Sequence, residues 1–251
     1  MNLNYSDSIA ASLTTIALEG NAAALQRRLP SGWQLAPFAG DDIRARALAG
    51  ANILVVFHEI YAVRTPEDHR VGLPQVSYIA FVSPAVSDAT RELALIHWRT
   101  YTEDPADVPG HYKDGRLADI TRQQTFSKET RGETHILETF SAVTDHGEIH
   151  LSLDCQQGGA VIWLTADEPN TPFVAANDPE IVRWYQEDQV FDVVRSDNLK
   201  VDRVSKLSLR VQGELDDVFD GAERIMAVFL RRPYIRQVYV PAVVEAPDAV
   251  R

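Results

Sequence analysis

The sequence predicts a mainly β domain, an antiparallel barrel or sandwich with a few flanking helices. Three observations carry this. Apolar, β-branched and aromatic stretches of strand length recur along the chain. Clusters of Gly, Pro, Asn and Asp separate them as turns. Helix caps are confined to a few short segments. The 251 residues suffice for one sizeable core, so one domain is expected over 1–251, with the tail 242–251 disordered.

Taken in order, residues 1–8 are polar, and the Thr- and Ala-rich stretch 9–18 reads as an opening strand. Asn21 caps the run NAAALQRR, a short helix stopped by Pro30. LPSGW then turns into a second extended segment, and 41–49 is ambiguous. Residues 52–63 have the β-branched and aromatic content of a buried strand, and 75–83 form another. The segment 87–100 has a helical front half behind a Ser-Asp cap, while 95–101 fits a strand equally well. HILETFSAV and EIHLSLDC flank Thr144-Asp145-His146-Gly147, a hairpin signature in which Gly supplies a positive φ. Residues 160–165 add a strand. Asp178-Pro179 reads as a helix start, with Ile181, Val182 and Tyr185 on its buried face. Leu207, Leu209 and Val211 alternate with polar partners, which makes a strand with one wet face. The strongest helical periodicity is Val218, Phe219, Ala222, Ile225, Met226, Phe229 and Leu230. Asp216 and Asp217 lie at its positive end, Arg231 and Arg232 at its negative end, and Pro233 stops it. That helix is expected against the outer wall of the sheet, followed by a last strand.

Charge and composition exclude several functions. With 36 acidic and 24 basic residues the net charge is -12, a field that repels phosphate backbones and anionic membranes. No nucleic acid or membrane partner is expected. Apolar runs such as 53–57 are far shorter than the roughly 20 residues of a membrane span. The first basic residue is Arg27, so the basic start of a secretory signal is missing and a cytoplasmic location is expected. The single cysteine, Cys155, rules out an intramolecular disulfide and a cysteine-based zinc cluster. Gly158-Gly159 is the nearest thing to a phosphate loop and reads as a hairpin turn, so no nucleotide cofactor is expected. His146, Glu148 and His150 lie two apart, yet Ile149, Leu151 and Leu153 take the core side. They form a solvated strand face, and no metal is expected.

Two places hold possible chemistry. His58-Glu59 follows the apolar run 53–57, so one of the pair points inward unless the strand lies at an edge with both exposed. If it is Glu59, a buried carboxylate needs a partner or a raised pKa. The other place is PGHYKDGRLADI, 109–120, which holds Lys113, one of only four lysines. Lys113 sits between Tyr112 and an Asp-Gly turn. It is either a nucleophile fed into a barrel interior or a loop lysine in water.

The order of these pieces resembles the acetoacetate decarboxylase family, whose fold is a cone-shaped antiparallel β-barrel with flanking helices. AAALQRRLPSGW resembles the family's short helix and proline turn. FHEI, 57–60, resembles the strand with a site glutamate. IHWRTYTEDPADV followed by HYKDGRLAD resembles the approach to the catalytic lysines. SAVTDHGEIHL resembles the hairpin that follows, and LDDVFDGAERIMAVFLRRPYIRQVYVP the late helix and last strand.

The resemblance implies a carbon–carbon lyase that uses a lysine Schiff base on a keto acid or related carbonyl compound, without a cofactor, as a homo-oligomer. It implies Lys113 as the imine-forming residue, Arg116 as its cationic neighbour and Glu59 as a site glutamate. Glu67, Tyr112 and His111 are the implied substrate-binding residues. The sequence departs from the pattern: Gly115 and Arg116 stand where the family has its lysine pair, and SIAASL where it has an N-terminal arginine. Lys113 lies two residues earlier, on the same side of an extended chain as position 115. The alternative is a protein that keeps the barrel cavity and binds a small ligand without covalent chemistry.

Overall fold

A computed structural model describes residues 2–40, 43–64, 76–104, 115–128, 134–158, 161–169 and 171–242. In chain order the elements are β1 (Leu3–Glu19), α1 (Ala22–Gln26), β2 (Trp33–Leu35), α2 (Ile43–Leu48), β3 (Ile53–Arg64), β4 (Val76–Ser87) and β5 (Leu93–Thr102). Then come β6 (Gly115–Leu117), β7 (Asp119–Lys128), β8 (Thr134–Thr144), β9 (Gly147–Gln157), β10 (Val161–Thr165) and β11 (Thr171–Ala175). The chain closes with β12 (Asp178–Ser196), β13 (Val201–Asp202), β14 (Val204–Gly213) and β15 (Arg224–Pro241).

Seven strands close into a barrel in the order β4-β3-β1-β15-β12-β11-β5, because β5 returns to pair with β4. Every pairing in the ring is antiparallel except β5 with β11. A second, four-stranded antiparallel sheet, β14-β9-β8-β7, covers part of the barrel's outer wall. Strand residues alternate between faces, so the barrel wall serves two cores. Ile9, Leu13, Leu54, Val56, Phe191 and Phe229 face the barrel interior. Ile16, Ile53, Val55, Phe57 and Phe81 face outward and pack on Phe140, Ile149 and Leu151 of the second sheet.

The opening elements agree with the sequence. Asn21 caps α1, its side-chain oxygen accepting from the Ala24 amide at 3.1 Å, and the ambiguous 41–49 stretch contains α2. The late amphipathic helix is replaced by β15. Met226 and Phe229 face into the barrel while Val228 and Leu230 face the second sheet. A strand buried on both faces is a continuous apolar run, which mimics helical spacing. Asp217 pairs instead with Arg27 and Arg28 beside α1. The expected helix at 178 is the start of the long strand β12, and Tyr185 lines the barrel cavity. The front of 87–100 is a turn leading into β5. The β8–β9 hairpin forms as expected, with Thr144 opposite Gly147. Its glycine is required by proximity rather than by φ: a Cβ on Gly147 would lie 2.4 Å from the Gln212 carbonyl oxygen. The tail beyond 242 lies outside the described residues.

Candidate functional site

The barrel encloses a cavity of about 410 Å³. Four strands grade from apolar to polar in the same direction along it. On β3 the inward residues are Leu54, Val56 and His58; on β4, Val82, Ala80 and Tyr78. On β15 they are Phe229, Arg231, Tyr234 and Arg236; on β12, Phe191, Gln189, Glu187 and Tyr185. Antiparallel pairing makes these runs coincide, so one end is lined by hydrocarbon and the other by donors and charges. Leu48 of α2 and Phe38 add to the apolar end.

The polar end is tightly organised. The His58 ring stacks on Tyr78, centroids 4.1 Å apart and planes 14° apart. Arg236 lies 4.1 Å over the Tyr185 ring, which also stacks on Phe173. Tyr234 donates to Glu187 at 2.7 Å, and Gln189 donates to the other Glu187 oxygen at 2.8 Å. Arg231 approaches Glu187 to 3.9 Å and lies 4.9 Å over Tyr234. One extra residue at Trp98 breaks the β4–β5 register, and inside that bulge His97 Nε2 lies 2.9 Å from Thr100 Oγ1. Bulges re-aim side chains in this way beside sites.

Electrostatics keeps both imidazoles neutral. Burial, then the positive charges of Arg236 and Arg231, push His58 well below its usual range. Burial and Arg236 lower His97 to about 3. Burial raises Tyr78 to about 12, and burial with Glu187 lifts Tyr234 well above its ordinary value. Both phenols are therefore proton donors at neutral pH. The described charged groups lining the cavity are the guanidinium groups of Arg231 and Arg236 and the carboxylate of Glu187. His58 Nδ1 has no hydrogen-bond partner among the described residues.

Glu59 sits elsewhere. Adjacent to His58, it faces out of the barrel and accepts from Ser77 and from Arg122 of β7, each at 3.0 Å. Arg122 also binds Glu138 of β8 at 2.8 Å, and Glu138 accepts from Arg232 at 2.9 Å and from Thr14 at 2.7 Å. Burial alone would raise Glu138, but Arg232, Arg122 and Thr14 hold it below the usual carboxylate range. This balanced cluster clamps the second sheet to the barrel. Arg116, also expected at the site, is half-exposed on β6 beside Tyr101, 3.8 Å from Glu214. Glu59 and Arg116 therefore share no site, and neither lines the cavity. His111, Tyr112, Lys113 and Glu67 lie outside the described residues.

The sequence reading passed over Tyr78, His97, Tyr185, Glu187, Arg231, Tyr234 and Arg236. A signal existed: polar residues spaced two apart inside otherwise buried strands, as in Tyr185, Glu187 and Gln189 of β12. Among the described residues no group of three or more His, Cys, Asp or Glu is placed to hold a metal, and no helix is long and apolar enough to cross a membrane. Burial raises Cys155 to about 12, which makes it a core thiol rather than a nucleophile.

Comparison with solved structures places this architecture. One similar structure is an acetoacetate decarboxylase-like enzyme from Sphingomonas wittichii RW1, with a TM-score of 0.55 and 8% identity, covering 94% of this chain and 91% of that one. The fold is that of the acetoacetate decarboxylase-like enzymes. A second similar structure is the enduracididine biosynthesis enzyme MppR with HEPES buffer bound, with a TM-score of 0.51, 10% identity, and coverage of 94% and 86%. No family model and no curated protein matches the chain.

Proposed function

We propose that the protein takes a small keto acid or related carbonyl compound into the barrel cavity and engages it through a Schiff base at Lys113. The observation that carries this reading is the polar end of the cavity, which lies beside the strand ends that bracket Lys113. Thr102 pairs with Tyr78, and Gly115 pairs with Thr100. The other three lysines, Lys128, Lys200 and Lys206, are exposed and line no part of the cavity.

The chemistry follows from the groups at that end. Arg231 and Arg236 hold the substrate carboxylate. A lysine amine attacks a ketone only when neutral, and its unperturbed pKa of ~10.4 must fall. Two guanidinium groups and a dry wall favour the neutral amine, the role that the resemblance implies for Arg116. Loss of water gives an iminium, which withdraws electrons from the adjacent carbon. A β-keto acid then releases carbon dioxide, and the bonding pair forms an enamine; a 2-oxo acid loses a proton to reach an enamine. Tyr234 with Glu187, or a neutral imidazole, moves that proton.

Borohydride trapping tests the reading. Incubation with pyruvate or a β-keto acid, followed by reduction, fixes the ligand to the peptide containing Lys113, and Lys113→Arg abolishes it while retaining the charge. Arg236→Met weakens carboxylate binding by about 30-fold or more, as expected when one partner of a buried charge contact is lost. A second reading, a non-covalent binder, is favoured by the sequence around Lys113, which sits beside an Asp-Gly turn. Reversible binding without trapping by any carbonyl compound establishes a non-covalent binder instead.

A further inference from the structure

We infer that the ligand is an amphipathic monocarboxylate whose apolar tail, an aryl-alkyl or alkyl group of about six carbons, fills the end of the cavity remote from Arg236. The inference rests on the keto-acid reading for the head group and on the cavity's gradient for the tail. A four-carbon keto acid has about seven non-hydrogen atoms. The cavity of about 410 Å³ holds roughly a dozen such atoms at ~30 Å³ each.

The shape of the lining is more specific than the volume. Leu54 and His58 are four residues apart on one strand, so the apolar and polar ends are about 13 Å apart at ~3.3 Å per residue. A ligand with its carboxylate at Arg236 and a methyl tail stops at the level of the polar residues. It leaves Leu54, Val56, Phe191 and Phe229 facing water. Those four side chains present no hydrogen-bonding group, so water held against them is displaced favourably by hydrocarbon. Val82 and Leu48 complete the same wall. At the other end Arg231 and Arg236, the latter over the Tyr185 ring, present guanidinium groups that a carboxylate can engage. The two ends together select a molecule with both properties.

Calorimetric titration of the whole protein with a graded series tests this. The 2-oxo acids with methyl, butyl and benzyl tails share one head group, and 3-phenylpropanoate has the tail and carboxylate without the ketone. The expected result is about fourfold tighter binding per added methylene, with the benzyl acid at least as tight as the butyl acid. Leu54→Trp, checked for folding by circular dichroism, is expected to compress the benzyl-to-methyl ratio below tenfold. Equal affinity across the three tails would overturn the inference and leave the keto-acid reading intact. Tight binding of 3-phenylpropanoate with no trapping of any 2-oxo acid would support the tail assignment and remove the keto-acid chemistry. Absence of binding by all four would overturn both.

Discussion

His58 lies flat on Tyr78 inside the barrel, ring centroids 4.1 Å apart, with both side chains almost fully buried. Neither this imidazole nor that of His97 can take up a proton without adding positive charge beside Arg236, and His58 meets Arg231 as well. The unfolded chain protonates each near pH 6.5, whereas folded His97 does so only near about 3 and His58 well below its usual value. Below pH 6.5 the unfolded state therefore binds more protons. The stability present above that pH is lost as pH falls toward 3.

Urea midpoints measured from pH 8 to pH 4 are expected to be level above about pH 7. They then fall, each histidine contributing about 1.4 kcal/mol per pH unit. His58→Gln together with His97→Gln should flatten the fall between pH 6.5 and 4.5. Below that range Glu138 adds a further loss, because its lowered carboxyl must be protonated.

The ion cluster between the sheets makes a separate prediction. Glu138→Gln leaves Arg122 and Arg232 buried with half their partners gone, and should cost about 3–5 kcal/mol by chemical denaturation. Adding Arg232→Met should cost less than the sum of the two single changes, since the second removes the charge that the first left unpaired.

An exposed strand edge makes a prediction about assembly. Among the described residues β10 pairs only with β12, and its Val161 and Trp163 are 47% and 63% exposed. Such an edge invites pairing with another copy. Sedimentation at micromolar concentration should show a species larger than 28.0 kDa, and Trp163→Glu should shift it toward the monomer. A wild-type protein that sediments only as a monomer would contradict this.

Much of the barrel was legible in the sequence because most of its strands carry local signals. The β8–β9 hairpin, the alternation of Leu207, Leu209 and Val211, and the β-branched run of β3 each specify an element on their own. The main errors fall on β15 and on the start of β12. In β15 both faces are covered over 225–230, so the period of two disappears into a continuous apolar run. At β12 the Asp178-Pro179 pair mimics a helix start, and the spacing of Ile181, Val182 and Tyr185 fits a helix as well as a strand. The site was half legible for a related reason. One of the His58-Glu59 pair had to face inward, but adjacent residues on a wall between two cores are both buried. Which core holds an acid and which a cavity depends on partners 60 or more residues away, such as Arg122 and Arg236. The role proposed for Lys113 rests on the resemblance carried by HYKDGRLAD and on its place in the chain between β5 and β6.

The central claim is that carbonyl chemistry takes place inside the barrel. Ala80, 3% exposed on β4, lines the cavity between the Tyr78 and Val82 levels, so Ala80→Trp fills the space without touching Lys113 in sequence. The decisive measurement is the extent of borohydride-fixed label at Lys113 in the wild-type and Ala80→Trp proteins, with circular dichroism confirming that the variant is folded. The account predicts label at Lys113 in the wild type and loss of at least nine-tenths of it, by order of magnitude, in the cavity-filled variant. Equal labelling of the two folded proteins, or label only on Lys128, Lys200 or Lys206, would contradict it.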